Sequence, residues 1–410
     1  MMHPKNLSIN DFTYPLPVDR IASYPLSVRD SSKLLIYNDG HISEDIYRNI
    51  SVHIPAESLL IFNDTKVIEA RLYFQSISNK KIELFCLSPD ESYLDIASAL
   101  AEQNCVLWYC LIGGASKWDK EVDLKKIIQF GGSEFTLSAK YIDRINDYYL
   151  IQFSWAQPGI SFVEVLHYAG VVPLPPYIKR NADSSDSERY QTIYATKEGS
   201  VASPTAGLHF TQNVFTELEK KKITCDFVTL HVGAGTFKPV KSEIMEGHEM
   251  HAEFFSVSKD LIENIYSNLN KCIIAVGTTS LRTIESLYWL GVKIKLGIDI
   301  EPSLFLGQWE AYDLSKHQIS TKNAISSLLS WMSDKNIKYL FGNTQIIIAP
   351  GYEFKILRAL VTNFHQPHST LILLVAAAIG DEWKKVYDYA LSNNFRFLSY
   401  GDGSLLWIKH

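Results

Sequence analysis

The sequence contains little cysteine, and its cysteines form no pattern. Only five occur among 410 residues. They are odd in number, widely scattered, and include no CxxC pair and no CxxxCxxC cluster: Cys86, Cys105, Cys110, Cys225 and Cys272. We therefore expect neither disulfides nor structural zinc nor an iron–sulfur cluster.

Long hydrophobic runs and targeting signals are also missing. The longest apolar run, Leu371 to Ile379, is about half of the roughly 20 residues that a membrane-spanning helix needs. The first residues, MMHPKNLSINDF, have no basic stretch followed by an apolar core, as a secretory signal would. The sequence thus predicts a cytoplasmic protein that does not enter a membrane.

Positive charge is in short supply. The chain has 39 Lys and Arg against 45 Asp and Glu, a formal net charge of −6. Because phosphate binding usually requires a basic surface, this balance argues mildly against a nucleic-acid partner. Such a partner would require Lys and Arg to be clustered locally.

What the sequence does have is enough apolar material for a large folded core. Hydrophobic residues make up 46% and aromatic residues 12% of the chain. No long segment is polar and of low complexity, so extensive disorder is not expected. The length favours two domains over one.

Strand-like and helix-like segments alternate over most of the chain. Apolar, β-branched runs predict buried strands at Leu34–Tyr37, Ser58–Phe62, Phe227–Val232, Cys272–Val276 and Gln345–Ala349. Helical periodicity occurs around residues 261–269, 325–332 and 383–391. This alternation predicts a layered α/β domain with a mixed sheet.

The segment from about Leu72 to Phe153 has a different texture. Short apolar runs are separated by turn sequences such as SNKK and DRIND, a spacing typical of a small all-β barrel. We therefore predict an inserted β-barrel domain at 69–157. Residues 1–68 and 158–410 would form one discontinuous α/β catalytic domain.

Four segments place candidate site residues at the seam between a strand and the next element, the position at which α/β proteins keep their sites. The segment FNDTKVIEARL supplies one group, and PTAGLHFT, where Pro204 and Thr205 suit a helix start, supplies a second. HVGAGTF and VGTTSLRT supply the other two. Further candidates come from TNFH, which precedes an apolar helix, and from SYGD, which lies in a turn between two apolar stretches. The candidates are Asn63, Asp64, Thr65, Arg71, Thr205, Gly207, His209, His231, Gly233, Gly235, Thr236, Thr278, Thr279, Arg282, Asn363, His365, Tyr400 and Asp402.

The chemistry of these groups suggests distinct tasks. Histidine is suited to acid or base work near neutral pH. Glycine-rich backbone and a helix start with several hydroxyls can bind an anion, and Arg282 could grip a carboxylate. His248, His251 and Glu253 lack the HExxH spacing, so no metal site is predicted.

Each pattern also has an ordinary structural explanation. Asp64 and Thr65 would simply form a turn. His209 would be a core histidine, and the hydroxyls after Gly277 would only cap a helix. The residue types alone do not decide between these explanations and a site.

The order of the motifs adds a resemblance. DFTYPLP, IASYPLSVRDSSKLL, FNDTKVIEARL, PLPPYIKR, ERYQTIYA, PTAGLHFT, TLHVGAGTFKPV, HEMHAEFF, VGTTSLRTIES, PGYEF, TNFH and SYGD follow one another along the chain. In this order they closely resemble the S-adenosylmethionine:tRNA ribosyltransferase-isomerase family. The resemblance covers most of the chain outside the predicted barrel.

The resemblance implies a specific reaction. Adenosylmethionine would give up its ribosyl carbons to the aminomethyl group of a 7-deazaguanine at the wobble position of tRNA with a GUN anticodon. The product would be epoxyqueuosine-tRNA, with adenine and methionine released. Adenosylmethionine would be a consumed co-substrate, and no resident cofactor is expected.

Within that reaction, a base must remove a proton from the ribose C5′ carbon next to the sulfonium, and an acid must help adenine leave. We assign this work to His209 and His231, with Asp64 as a competitor for the base. Arg282, Thr278, Thr279 and the Gly233/Gly235 turn would hold the methionine end or a tRNA phosphate. Asn63, Thr65, Arg71, Thr205, Gly207, Thr236, Asn363, His365, Tyr400 and Asp402 would complete the substrate pocket.

Some positions depart from the pattern expected for the family. They are Lys33, Glu69, Ser203 and Gln366, and the segment from about Gly291 to Asn343 is longer than expected. Two rivals therefore stay open: a divergent paralogue acting on another nucleoside, and a tRNA-binding module without chemistry. A common adenosylmethionine methyltransferase is less favoured, because no glycine-rich loop follows the first strand.

Overall fold

Two β-sheets with flanking helices make up the protein. The computed structural model describes residues 3–233, 240, 242–298 and 304–409. The strands are β1 (Lys33–Asn38), β2 (His41–Ile46), β3 (Leu59–Asn63), β4 (Thr65–Val67), β5 (Arg71–Gln75), β6 (Lys81–Pro89), β7 (Cys105–Gly113), β8 (Leu124–Phe130), β9 (Ser133–Ile145), β10 (Tyr148–Trp155), β11 (Gly170–Val171), β12 (Lys197–Ser200), β13 (Thr224–Leu230), β14 (Glu253–Ser258), β15 (Ile273–Val276), β16 (Leu304–Leu306), β17 (Tyr339–Thr344), β18 (Ala359–Asn363) and β19 (Gly403–Trp407). The α-helices are α1 (Ile96–Ala101), α2 (Phe162–Ala169), α3 (Asp186–Arg189), α4 (Gln212–Lys220), α5 (Lys259–Ser267), α6 (Thr278–Lys295), α7 (Glu310–Leu314), α8 (Thr321–Asp334), α9 (Thr370–Ile379) and α10 (Trp383–Ser392).

The larger sheet has ten strands in the order β16-β17-β14-β13-β3-β15-β18-β19-β1-β2. Its centre, β13-β3-β15-β18, is parallel, whereas β14, β17 and β19 introduce antiparallel pairs. The prediction of a mixed sheet in an α/β domain is confirmed. Because the four central strands are parallel, their carboxyl ends meet at one edge of the sheet.

Both faces of this sheet are covered over its centre. Side chains alternate between faces along a strand, and β3 shows this directly. Leu59 and Ile61 belong to the core under α5, α6, α8, α9 and α10, whereas Leu60 and Phe62 belong to the core under α4. Strands buried on both faces read as continuous apolar runs, and the sequence predicted β3 and β15 from such runs. It did not predict β18, which is equally buried.

The smaller sheet is antiparallel throughout, in the order β11-β5-β6-β7-β10-β9-β8. It curls so that β5 and β8, far apart in the strand order, lie close together. Its inner side holds a separate core that includes Leu84, Trp108 and Phe153. The predicted all-β barrel therefore exists as a curled sheet, to which β11, beyond Phe153, also contributes.

One predicted strand is wrong. Gln345–Ala349 follows β17 but forms no sheet, although Ile346, Ile347 and Ile348 are buried. Its backbone groups are paired one at a time instead: Gln345 N–H donates to the Leu306 carbonyl, and the Tyr312 hydroxyl donates to the Ile347 carbonyl. An apolar run indicates that a segment is buried, but it does not indicate which groups form hydrogen bonds with the backbone of that segment.

Within the segment from Gly291 to Asn343, residues 291–298 and 304–343 are described and belong to the main domain. Its helix α8 packs against α6 and buries Ile325, Leu328 and Met332 in the main core. Its strands β16 and β17 extend the larger sheet at one edge. Among the described residues, no helix is both long and apolar enough to cross a membrane.

Candidate active site

Most of the predicted site residues lie at the edge of the larger sheet where β3, β13, β15 and β18 end. Asn63 ends β3, His231 follows β13, Thr278 follows β15 after one glycine, and Asn363 ends β18. These residues, which lie far apart in the sequence, are thus neighbours in space. Two cavities open along this edge, and we call them the inner pocket and the open cleft.

The inner pocket has a volume of about 80 Å³. It lies between the chain before the 3₁₀ helix Thr205–His209, the start of α6 and the chain after β18. Its polar lining includes the predicted residues Thr205, Thr278, Thr279, Asn363 and His365, together with Ser203, Thr362, Gln366, Ser369 and Ser399. Within the described structure, none of the lining side chains is a carboxylate, lysine or arginine.

Hydrogen bonds fix several of these side chains. The Thr205 hydroxyl donates to Asn363 Oδ1 at 2.8 Å, and Asn363 Nδ2 lies 3.4 Å from His209 Nε2. His365 Nε2 lies 2.9 Å from the Thr362 hydroxyl. By contrast, the buried Ser203 hydroxyl has no hydrogen-bond partner among the described residues. An unpartnered buried hydroxyl on a pocket wall is a group free to bind a ligand.

The pocket also receives the amino ends of two helices. Helix α6 begins at Thr278, after Gly277 with φ of +93°, and no side chain caps it. Helix α9 begins at Thr370, and the Ser369 side chain caps it. Because the first N–H groups of a helix lack internal partners and carry partial positive charge, this lining favours an anion.

The open cleft is larger, about 990 Å³. It separates the exposed face of β13, β14 and β17 from helices α1 and α2, next to the smaller sheet. Asp64 and His231 lie in it together with Asp95 and Lys197. The Asp64 carboxylate accepts hydrogen bonds from the Thr229 hydroxyl at 2.7 Å and the Thr196 hydroxyl at 3.2 Å.

The end of β3 joins the two cavities. Asn63 Nδ2 donates to the Thr279 hydroxyl of the inner pocket at 3.2 Å and to the Leu230 carbonyl at 2.9 Å. One residue later Asp64 lines the cleft, and Thr65 holds His231 through a 2.8 Å contact between its hydroxyl and Nδ1. After β13, His231 lines the cleft and Val232 lines the pocket. The cavities are therefore adjacent, and a single substrate could reach both.

Burial sets the protonation states in this region. It lowers the pKa of His209 to about 3, assisted by the positive charge of Arg396. It lowers the pKa of His231 to about 4, against the opposing effect of the Asp95 carboxylate, and that of His365 to about 3. Burial raises the pKa of Asp64, although hydrogen bonds from Thr229 and Thr196 oppose it. At neutral pH the histidines are neutral, so they can accept a proton but have none to give as cations.

Comparison with known proteins gives the family. The model of a family described as "Queuosine biosynthesis protein" matches residues 9–406. The chain belongs to this family. The chain is 36% identical to the S-adenosylmethionine:tRNA ribosyltransferase-isomerase of Legionella pneumophila (strain Paris) over 97% of this chain and 98% of the relative. The protein of that name from Buchnera aphidicola subsp. Schizaphis graminum is 34% identical over 97% of this chain and 95% of its own.

A solved structure is also similar. It is that of an S-adenosylmethionine tRNA ribosyltransferase from Thermotoga maritima, with 26% sequence identity and a TM-score of 0.44. The match covers 96% of this chain and 99% of that one.

Several of the predicted site residues lie outside both cavities. Arg282 is buried on α6, where it pairs with Glu253 and donates to the Ile346 carbonyl at 3.1 Å. Arg71 lies in the smaller sheet and pairs with Glu83 at 3.1 Å. In the described structure, each arginine is thus already paired with a carboxylate of the protein. Glu253 is likewise already paired, with Arg282. Among the described residues, no cluster of His, Cys, Asp and Glu side chains could hold a metal ion.

Side chains of the SYGD segment form hydrogen bonds with other loops. The Tyr400 hydroxyl donates to Asp186 Oδ1 at 2.7 Å, and Asp186 also binds Arg180. Asp402 accepts the backbone N–H of Lys33 at 3.1 Å and of Arg396 at 2.8 Å. Both side chains therefore support the fold behind the pocket instead of lining it.

The PTAGLHFT segment also differs from expectation. The helix does not start at Thr205: a 3₁₀ turn runs to His209, and α4 begins only at Gln212, capped by Thr211. His209 is buried behind Asn363 and stacks on Tyr47 at a ring distance of 4.2 Å. A side chain at Gly207 would meet the Tyr194 hydroxyl at 1.9 Å, so its small size serves packing there. Gly233 has open space beside it, and Gly235 and Thr236 lie outside the described residues.

Sequence reasoning missed other groups at the site. Ser203 and Gln366 were noted only as departures from the family pattern, yet both line the inner pocket. Thr229 was hidden inside an apolar strand, although alternation along β13 places it on the same face as His231. Thr196 and Asp95 come from segments with no strand-end signal. The position of Thr229 could have been found from the two-residue period, whereas the last two depend on tertiary packing.

Proposed function

We propose that this protein is an S-adenosylmethionine:tRNA ribosyltransferase-isomerase of queuosine biosynthesis. It transfers and isomerises the ribosyl group of adenosylmethionine onto a 7-aminomethyl-7-deazaguanine at the wobble position of tRNA with a GUN anticodon. Epoxyqueuosine-tRNA forms, and adenine and methionine leave. The observation that carries the proposal is the identity of 34% to 36%, over nearly the whole chain, with relatives of that name. The protein acts in the cytoplasm without a resident cofactor.

The inner pocket takes the carboxylate end of adenosylmethionine. Its lining offers hydroxyls and the amino ends of α6 and α9, and no described carboxylate competes there. The free Ser203 hydroxyl is a donor for the same group. Thr278, Thr279 and Asn363 also line this side of the pocket. Arg282 does not contact the substrate and contributes only as a buried residue of the core.

The ribose then lies toward the open cleft, where Asp64 and His231 stand next to the end of the pocket. The positive sulfonium makes the ribose C5′ proton acidic, and a base must remove it. The Asp64 carboxyl is charged at any pH above its pKa, and its side chain is half-buried. It accepts hydrogen bonds from two hydroxyls. We assign the base to Asp64 and give His231 the task of orienting or relaying. A neutral histidine can relay to the leaving adenine only a proton that another group has delivered.

Release of adenine and methionine from adenosylmethionine tests the proposal directly. The acceptor is tRNA that carries 7-aminomethyl-7-deazaguanine, and unmodified tRNA is the control. We expect release only with the modified tRNA, together with a matching gain of mass on it. Release of adenine and methionine with another nucleoside as acceptor would show that the protein is a divergent paralogue. Binding of tRNA by folded protein, without release of adenine or methionine, would show that it is a tRNA-binding module without catalytic activity.

Removal of one pocket hydroxyl gives a sharper prediction. Ser203→Ala should raise the KM for adenosylmethionine roughly tenfold and leave kcat nearly unchanged, because a hydrogen bond to a charged group is worth about 1.5 kcal/mol or more. Ser280→Ala is the matched control, since that hydroxyl donates to the Val276 carbonyl at the end of β15 and does not line the inner pocket. An unchanged KM in Ser203→Ala would show that the carboxylate of adenosylmethionine does not bind at this wall of the pocket.

A further inference from the structure

An aromatic surface continues from His231 across the exposed face of the larger sheet. It consists of Phe254 on β14, Tyr339 and Phe341 on β17, and Phe305 on β16, and we call it the aromatic face. Phe341 is 53% exposed, Tyr339 56% and Phe305 38%. Large aromatic side chains rarely lie together in contact with water unless they bind something.

The register of the strands explains the arrangement. On β17, Leu340 is buried in the main core, so its neighbours Tyr339 and Phe341 point to the other face. On β14, Phe255 and Val257 are buried and Phe254 points outward. Phe305 pairs with Asn343, which is on the outward side of β17. The outward positions thus form one continuous surface.

The rings are also aligned with one another. Phe254 and Phe341 have ring centres 6.0 Å apart with planes at 15°, and Phe341 and Tyr339 are 6.4 Å apart at 28°. At the other end, His231 and Phe254 are 6.4 Å apart with planes at 6°. The series therefore leads from the candidate catalytic end of the cleft to its outer edge.

We propose that the aromatic face binds unpaired bases of the tRNA loop next to the wobble base. This inference rests on the proposed function, which brings the wobble base to Asp64 and His231. Bases that flank it on the same strand would then lie over Phe254, Phe341 and Tyr339. Proteins recognise single-stranded RNA by stacking its splayed bases on aromatic side chains.

The charges of the cleft favour this occupant. Asp64, Asp95 and Glu198 line it, with Lys197 as a basic residue among them. Carboxylates repel phosphates but not the uncharged faces of bases. In a chain of net charge −6, stacking supplies binding that a basic surface would supply elsewhere. Phosphates would stay outside the cleft while the bases enter it.

The test measures binding of an RNA hairpin that has the anticodon stem and loop, with a blunt duplex of the same stem as reference. Phe341→Leu and Tyr339→Leu should each weaken hairpin binding at least about 5-fold, since stacking of one base on a ring is worth about 1 kcal/mol or more. Phe341→Trp should restore it. Duplex binding and the salt dependence of hairpin binding should not change, because no phosphate contact is lost.

Tyr168→Leu is the matched control. Tyr168 is 48% exposed on α2, where it packs on Phe130, and it does not line the cleft. Thermal unfolding of every variant checks that the fold is kept. Hairpin binding by Phe341→Leu and Tyr339→Leu that equals the wild type would overturn the proposal. So would sedimentation showing that Phe341→Leu turns a dimer into a monomer, since the face would then bind a second copy.

The result of this binding experiment can be distinguished from the result of the test of the proposed function. If the wild-type protein releases adenine with modified tRNA and the ring variants keep their affinity for the hairpin, only the aromatic face is wrong. If ring variants lose hairpin affinity while the wild-type protein releases no adenine on any tRNA, the RNA surface stands and the proposed reaction fails.

Discussion

Asp64→Asn should lower the rate of adenine release by a factor of roughly 10² to 10⁴, the usual contribution of a positioned base. The substitution keeps the size of the side chain and one acceptor oxygen, so one of the two hydrogen bonds from Thr229 and Thr196 is kept. It removes the negative charge and the ability to take a proton. Single-turnover adenine release at saturating adenosylmethionine and modified tRNA measures the effect.

Two further variants identify the base. Thr229→Val removes one hydrogen bond to Asp64 and should reduce the rate far less than Asp64→Asn. His231→Gln keeps a polar group beside Thr65 but cannot accept a proton. If His231→Gln abolishes release while Asp64→Asn stays within about tenfold of the wild type, an effect too small for a positioned base, then His231 is the base.

Exchange of the C5′ protons of adenosylmethionine with solvent deuterium provides a readout closer to the chemistry. Exchange needs the base but not the departure of adenine. We expect Asp64→Asn to lose exchange and release together. A variant that only disturbs positioning of tRNA should keep exchange measured without tRNA, if the wild-type protein shows it.

The pH profile follows from the environment of Asp64. Burial raises the pKa of its carboxyl above the ordinary value, so the charged, proton-accepting form is lost as the pH falls through this raised pKa. The acid limb of kcat/KM should therefore lie at higher pH than an exposed aspartate would give. Thr229→Val, which loses a hydrogen bond that lowers this pKa, should move the limb to still higher pH.

The sequence predicted which residues lie close together better than it predicted the contacts that each of them makes. Asn63, His231 and Thr278 were chosen because they follow apolar runs that predict strands, and parallel strands end at one edge. This topological rule does not depend on side-chain detail. It placed residues distant in the chain around two adjoining cavities. Asn363 was chosen because its segment precedes an apolar helix, and the strand that it ends, β18, was not predicted.

The roles of charged residues were harder to predict because they depend on partners far along the chain. Arg282 has the right chemistry for a substrate carboxylate, but it is buried outside both cavities and pairs with the Glu253 carboxylate. Tyr400 and Asp402 were expected to complete the substrate pocket, yet they bind Asp186 and the backbone of Lys33 and Arg396. Composition and spacing contain no information about such pairings.

Helix α6 shows how the fold supports the site through a buried charge. Glu285 is fully buried and accepts four hydrogen bonds: from the Tyr352 hydroxyl at 2.8 Å and from the backbone N–H groups of Lys355, Ile356 and Leu357 at 2.9 to 3.2 Å. This carboxylate fixes the chain that leads directly into β18. Since β18 ends at Asn363, the same contacts position one wall of the inner pocket.

Glu285→Ala should therefore reduce the free energy of unfolding by about 3 to 5 kcal/mol, because it leaves several buried donors without an acceptor. Burial raises the pKa of this carboxyl, so loss of an unfavourably buried charge offsets part of the cost. Glu285→Gln keeps one acceptor oxygen and should cost about half as much. Urea unfolding followed by circular dichroism measures both. Near-equal stability of Glu285→Ala and the wild type would mean that the 352–357 chain holds its position without this carboxylate.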